Sequence, residues 1–258
     1  MRRRGVLVSV ACSALLAGVV ACAGAVHATD TDERTHRVLF IGNSLTYYND
    51  LPGTLAAIAF TGGETIVVAS VTRGGFALMD HVMGTRRTDA VERIRGARWE
   101  YVVLQQGPTS RATDRDTLLL AARRLDEPIR AAGARVALYM VWPALADSAS
   151  FGPVRVAYRE TACRVKGDFW PAGEAWRTAW RADPTLRFYG ADDFHPSPLG
   201  TYLVALVMYE RITGRDARTL PARATVDGAP SAMSPATIRL LQEAAHATNE
   251  AFPTACHS

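Results

Sequence analysis

Three side chains in this sequence have the chemistry for acyl transfer: the Ser44 hydroxyl, the Asp192 carboxylate and the His195 imidazole. Ser44 follows an apolar run in RVLFIGNSLT, and Asp192 and His195 share one polar stretch, GADDFHPSP. A serine hydroxyl becomes a competent nucleophile when an imidazole takes its proton and a carboxylate orients that imidazole. The Asp-x-x-His spacing lets the Asp192 carboxylate fold back onto the ring from the same loop. Asp193 is nearer in sequence, but side chains two residues apart tend to point away from each other. Alone, each residue has a plainer reading: Ser44 as a turn or cap residue, His195 as a loop histidine before proline.

An acyl-transfer site also needs hydrogen-bond donors for the oxyanion of the tetrahedral intermediate. The backbone N–H of Ser44 is one candidate. Gly74-Gly75 supplies a second, because a residue without Cβ lets its N–H approach a substrate oxygen; Gly75 is preferred and Gly74 is the alternative. A side-chain amide is a suitable neutral donor, which brings in Gln105 and Gln106, with Thr109 a lesser candidate. A one-residue shift in register reverses which glutamine faces the site, so both stay open.

The elements that must position these residues follow a repeating pattern. Apolar runs at 37–42, 64–71, 99–106, 134–142 and, more weakly, 167–173 are each followed by a helical pattern. The runs are apolar on both faces, as strands of a parallel sheet covered on both sides must be. Alternating strands and helices give a single three-layer α/β/α domain with a five-stranded parallel sheet. Ligands of such sheets bind beyond the carboxyl ends of the strands, where Ser44, Gly75 and the two glutamines fall. Two further helices, 197–214 and 234–252, flank a Pro/Ala/Gly-rich linker at 220–233, so a helical extension is expected from about residue 221. Trp142, Trp170 and Trp176 are candidates to shape an acyl or sugar pocket, with core packing the simpler expectation for at least two of them.

Together GNSLT, the Gly74-Gly75 turn, the polar block after YVVL and DDFHPSPLGTYL resemble the SGNH (GDSL-like) hydrolases over roughly 37–214. That resemblance implies a flavodoxin-like sheet and a secreted or periplasmic esterase. It implies Ser44 as nucleophile, His195 as general base, Asp192 as its orienter, and an oxyanion hole from Ser44 N–H, a glycine N–H and an amide side chain. The chain departs from the pattern twice: Gly-Asn-Ser replaces the commoner Gly-Asp-Ser, and LQQGPTS stands where Gly-x-Asn is usual. The expected activity is hydrolysis of short-chain acyl esters, including O-acetyl groups on an extracellular saccharide. The altered third block motivates the alternative, an extracellular binding domain of the same fold with impaired catalysis.

The N-terminus reads as an export signal. Arg2, Arg3 and Arg4 precede an apolar stretch, and Val26-His27-Ala28 suits cleavage, leaving a single domain over 29–258. Val19-Val20-Ala21-Cys22 resembles a lipobox, and Gly5 to Ala28 is long enough to span a bilayer if retained. All three readings put the domain outside the cytoplasm, with membrane attachment only through a lipid or anchor. The formal charge is +4, falling to +1 without the three N-terminal arginines, so a nucleic-acid partner is not expected. Cys163 and Cys256 remain after the leader and can pair in an oxidising compartment. The HExxH and Cys-x-x-Cys motifs are absent, so no metal is expected, and the mechanism requires no organic cofactor. Ser44 does not lie in Gly-x-Ser-x-Gly, and phosphate-binding glycine motifs are missing.

Overall fold

The five apolar runs form one parallel sheet in the computed structural model, which describes residues 35–254. The strands are β1 (Thr35–Gly42), β2 (Thr65–Thr72), β3 (Tyr101–Leu104), β4 (Arg135–Tyr139) and β5 (Asp168–Trp170). Their order is β2-β1-β3-β4-β5, with every neighbouring pair parallel. This is the doubly wound, flavodoxin-like order. Its switch point lies between β1 and β3, where a crevice opens beyond the strand ends. Gly42 pairs with Thr72, and Ile41 with Leu104. The loops after β1, β2 and β3 therefore leave the sheet side by side.

The central strands are buried on both faces: Val38 to Ile41, Tyr101 to Leu104 and Val136 to Tyr139 are at most 2% exposed. Edge strand β2 departs from that pattern, with Ile66 its one buried residue and Val67 exposed. An edge strand has a sheet neighbour on one side alone, so less of it is shielded. Helices α2 (Leu51–Thr61), α7 (Ala172–Ala182), α8 (Pro198–Thr213) and α9 (Pro235–Ala251) form one layer. The other layer contains α3 (Leu78–Val82), α4 (Ala90–Arg95), α5 (Ala112–Ala131) and α6 (Phe151–Arg164).

Both C-terminal helices start as the sequence indicates. Ser197 and Ser234 cap α8 and α9, accepting from Gly200 N and Thr237 N, each ahead of a proline in the first turn. Such a cap contributes about 1 kcal/mol. The expected linker holds a small hairpin, Thr225–Val226 against Ala229–Pro230. Asp227 and Gly228 turn it with φ of 52° and 71°, the two positive φ values of a tight two-residue hairpin. Trp142, Trp170 and Trp176 are all fully buried. Cys163 is disulfide-bonded. Its expected partner Cys256, like the export signal, lies outside the described residues. Among the described residues no helix is long and apolar enough to cross a membrane.

Candidate active site

The turn after β1 is held from three directions. Asn43 caps the short helix α1 (Ser44–Tyr47), its Oδ1 accepting from Leu45 N at 3.1 Å. Its Nδ2 donates to the Phe76 carbonyl at 2.9 Å, a bond that an aspartate carboxylate has no proton to make. The asparagine of GNS thus ties the Ser44 turn to the glycine turn. Gln105 Oε1 accepts from Asn43 N at 2.9 Å and Thr46 Oγ1 at 2.8 Å. Gly42 makes room for it, because a Cβ there would lie 2.5 Å from that same oxygen. The His81 imidazole bonds the Gly42 carbonyl through Nε2 and Thr88 through Nδ1, both at 2.9 Å. Burial lowers the His81 pKa and favours the neutral ring.

The histidine loop is fastened to the exit of β4. Trp142 Nε1 donates to the Phe194 carbonyl at 2.9 Å, and Leu145 N to the Asp193 carbonyl at 2.9 Å. Tyr189 Oη donates to the Pro143 carbonyl at 2.8 Å. Within the loop, Asp192 Oδ1 accepts from Phe194 N at 3.2 Å and His195 N at 2.9 Å. Its Oδ2 lies 2.5 Å from His195 Nδ1. One carboxylate thus shapes the loop with one oxygen and orients the ring with the other. The hydrogen bond from His195 holds the Asp192 carboxyl down at about 2. Asp193, with φ of 56°, lies on a different groove with Tyr189.

The two loops meet at Ser44, whose Oγ is 2.9 Å from His195 Nε2. The Asp192 carboxylate can only accept, so Nδ1 carries the ring proton and Nε2 is left to accept from the serine hydroxyl. Ser44 and His195 are 151 residues apart in sequence. The fold joins them with Asp192 in one hydrogen-bonded line.

Ser44, Gly75, Gln106, Thr109, Asp114 and His195 are among the residues lining a cleft of about 570 Å³ at the switch point, with Phe76, Ala77, Pro108 and Phe194 as its apolar wall. Phe76 N donates to the Arg73 carbonyl at 3.2 Å, closing a turn in which Gly75 has φ of 74°. That value at the third turn position calls for glycine. A Cβ on Gly74 would come 3.0 Å from Tyr47 Oη.

The glutamine amides have other bonding partners. β3 ends at Leu104, so both glutamines lie past the strand and its alternation does not orient them. Gln105 Nε2 donates to the Gln106 carbonyl at 2.6 Å, and Gln105 is not among the residues of the cleft. Gln106 reaches the cleft, but its Oε1 accepts from Leu78 N at 3.2 Å and its Nε2 donates to the Asp114 carbonyl at 3.3 Å. Thr109 differs from both. It is 1% exposed, its Oγ1 has no hydrogen-bond partner among the described residues, and it lines the cleft with Ser44. A buried hydroxyl without a partner is costly to the fold and calls for an explanation. Its place in the loop beyond β3 gave only a weak sign of this in the sequence.

Among the described residues, Glu210, Asp216 and His246 lie close enough together to suggest a metal site. Their ligand atoms are already engaged. Arg218 forks Asp216, Glu210 accepts from Ala217 N and Asn249, and His246 bonds Glu210 at 3.1 Å. The cluster is a polar network that links α8 and α9 through the segment around Asp216 and Arg218.

This three-layer sheet, with its strand order and flanking helices, is the fold of the SGNH hydrolases. No protein-family profile matches the chain, and no curated protein matches it. Solved structures do. A DUF4886 family protein from Bacteroides uniformis superposes with a TM-score of 0.71 at 20% identity, covering 86% of this chain and 97% of its own. A Slackia heliotrinireducens protein, provisionally classed as an SGNH hydrolase, gives 0.58 at 28% identity over 68% of this chain and 98% of its own. Axe2, an acetylxylan esterase from Geobacillus stearothermophilus solved as a catalytic mutant, gives 0.50 at 15% identity over 70% and 94%.

Proposed function

We propose that the protein is an exported serine esterase that hydrolyses short-chain acyl esters, O-acetyl groups on saccharides among them. The observation that carries the reading is the 2.9 Å approach of Ser44 Oγ to His195 Nε2, with Asp192 on the other ring nitrogen. Phe76, Ala77, Pro108 and Phe194 give the cleft an apolar wall beside the serine, which suits an acyl group. The acetylxylan esterase of the same fold supports an acetyl ester, and the leader-like N-terminus supports export.

In this mechanism Ser44 Oγ attacks the ester carbonyl carbon while its proton passes to His195 Nε2. The carbonyl π electrons move onto oxygen, and Asp192 stabilises the imidazolium. The oxyanion is met by the N–H groups of Ser44 and Gly75 and by the Thr109 hydroxyl. Collapse breaks the bond to the alcohol, which leaves with the proton from His195. Water then gives a proton to the same nitrogen, attacks the acyl-serine, and releases the carboxylic acid and Ser44. Thr109 takes the place first given to a glutamine amide, because its hydroxyl makes no bond among the described residues, Gln105 does not line the cleft, and Gln106 already gives one of its two N–H groups to Asp114.

The test is hydrolysis of p-nitrophenyl acetate by the purified protein and by Ser44→Ala. Nitrophenol release well above background is expected from the first and none from the second. Equal rates would exclude the esterase.

A further inference from the structure

Tyr48 lies four residues after Ser44, and its ring stacks face-on against the His195 imidazole. The centroids are 4.0 Å apart and the planes 14° from parallel. Tyr48 is 39% exposed, so core burial does not explain where it sits. The chain beside it is strained. Asn49 has φ 49° and ψ 33°, and Asp50 has φ 42° and ψ 60°, two successive non-glycine residues in the left-handed region. Such conformations persist where surrounding bonds over-determine them, and they cluster at functional sites.

The bonds that hold this turn lead to the histidine loop. Asn49 Nδ2 donates to the carbonyl of Pro196, the residue after His195, at 2.8 Å and to Thr201 Oγ1 at 2.9 Å. Thr54 Oγ1 donates to the Asn49 carbonyl at 3.2 Å, and Asp50 Oδ1 accepts from Gly53 N at 3.1 Å to start α2. The nucleophile segment and the histidine segment are therefore joined at Asn49 and stacked at Tyr48.

His195 donates through Nδ1 to Asp192 and accepts through Nε2 from Ser44, and both bonds lie along the ring plane. They leave the ring free to rock about the line joining those nitrogens. Phe194 meets the ring edge-on, with centroids 5.1 Å apart. Among the described residues, Tyr48 alone covers a face with a parallel ring, and a parallel ring resists that rocking.

We propose that Tyr48, anchored by Asn49, is a positioning residue for the general base, its ring face holding the His195 imidazole with Nε2 aimed at Ser44. This rests on the reading of Ser44 and His195 as the catalytic pair. The contribution comes from the aromatic face rather than the phenol hydroxyl, so phenylalanine can replace tyrosine and leucine cannot.

The experiment compares Tyr48→Phe and Tyr48→Leu in two backgrounds. In the otherwise native enzyme, Tyr48→Phe holds kcat within about 2-fold. Tyr48→Leu lowers kcat by about 3–10-fold at unchanged KM for p-nitrophenyl acetate, in line with the strength of an aromatic pair. In Ser44→Ala protein, which reports on the ring without turnover, the His195 ring protons show an upfield ring-current shift by NMR. Tyr48→Phe keeps that shift and Tyr48→Leu loses it. Full kcat in Tyr48→Leu, with Ser44→Ala inactive, overturns the positioning role and leaves the esterase reading intact. Equal losses in Phe and Leu variants also overturn it, by assigning the effect to the hydroxyl. Wild-type hydrolysis by Ser44→Ala overturns both.

Discussion

Thr109→Val separates catalysis from stability. The substitution keeps the branched shape and replaces the hydroxyl with a methyl group. In most buried positions that exchange costs stability, because a hydrogen bond is lost. Thr109 Oγ1 has no partner to lose among the described residues, so the variant should be as stable as the parent or more so. Relief of one unsatisfied hydroxyl is worth about 1–3 kcal/mol at most. Activity should move the other way. Deleting one oxyanion donor typically lowers kcat about 10²–10³-fold, or about 2.7–4 kcal/mol of transition-state stabilisation. Thr109→Ser, which retains the hydroxyl, should recover much of that loss. The assays are urea denaturation, and kcat with KM on p-nitrophenyl acetate. A Thr109→Val enzyme with unchanged kcat would remove Thr109 from the oxyanion hole and return the donor to an amide. A variant that loses stability and activity together would mean that the hydroxyl is bonded in the folded protein.

Gln105→Leu should do the reverse, lowering stability first. It strands the buried Asn43 N–H and removes the acceptor for Thr46 Oγ1, and an unsatisfied buried N–H costs about 1–3 kcal/mol, measurable by urea denaturation. The Asp192 carboxyl is held at about 2, below its ordinary 3.8, by the hydrogen bond from His195. A depressed carboxylate pKa contributes stability that is present above the unfolded value and lost as pH falls through the folded one. Asp192 therefore stays ionised down to about pH 2. Protonation of Asp192 thus contributes no loss of kcat/KM until the pH falls to that range. Asp192→Asn should lower kcat by up to ~10⁴-fold through the wrong tautomer while leaving KM near the parent value. An Asp192→Asn enzyme with unchanged kcat, or a KM effect alone, would count against that assignment.

The fold was legible because each strand of the sheet is an apolar run and each crossover a recognisable helix. Thr35–Gly42 and Arg135–Tyr139 fall where the runs at 37–42 and 134–142 put them. Edge strand β2 looked like a central strand, because composition does not reveal which strand ends up with one neighbour. The hairpin at 225–230 carried its own signal in Asp227-Gly228, hidden within a proline-rich linker. Of the site, Ser44, Asp192, His195 and Gly75 were legible as residues beyond strand ends and in one Asp-x-x-His loop. The choice between the amide and hydroxyl donors was not legible, for a physical reason. β3 stops at Leu104, and each glutamine gives one of its two amide N–H groups to a backbone carbonyl rather than following the strand's alternation. The burial of Thr109 and the stack of Tyr48 on His195 are tertiary facts. They join residues up to 147 positions apart, the separation of Asn49 and Pro196, and no local pattern encodes them.

Whether Ser44 is the nucleophile is decided by labelling with a p-nitrophenyl alkylphosphonate. Attack by Ser44 expels nitrophenolate and leaves a stable phosphonyl ester. The expected result is one phosphonyl group per chain, mapped by peptide mass spectrometry to Ser44, with loss of esterase activity in step with labelling. Ser44→Ala should take up no label. Activity that survives full labelling, or a label that maps to another residue, would contradict the assignment of Ser44.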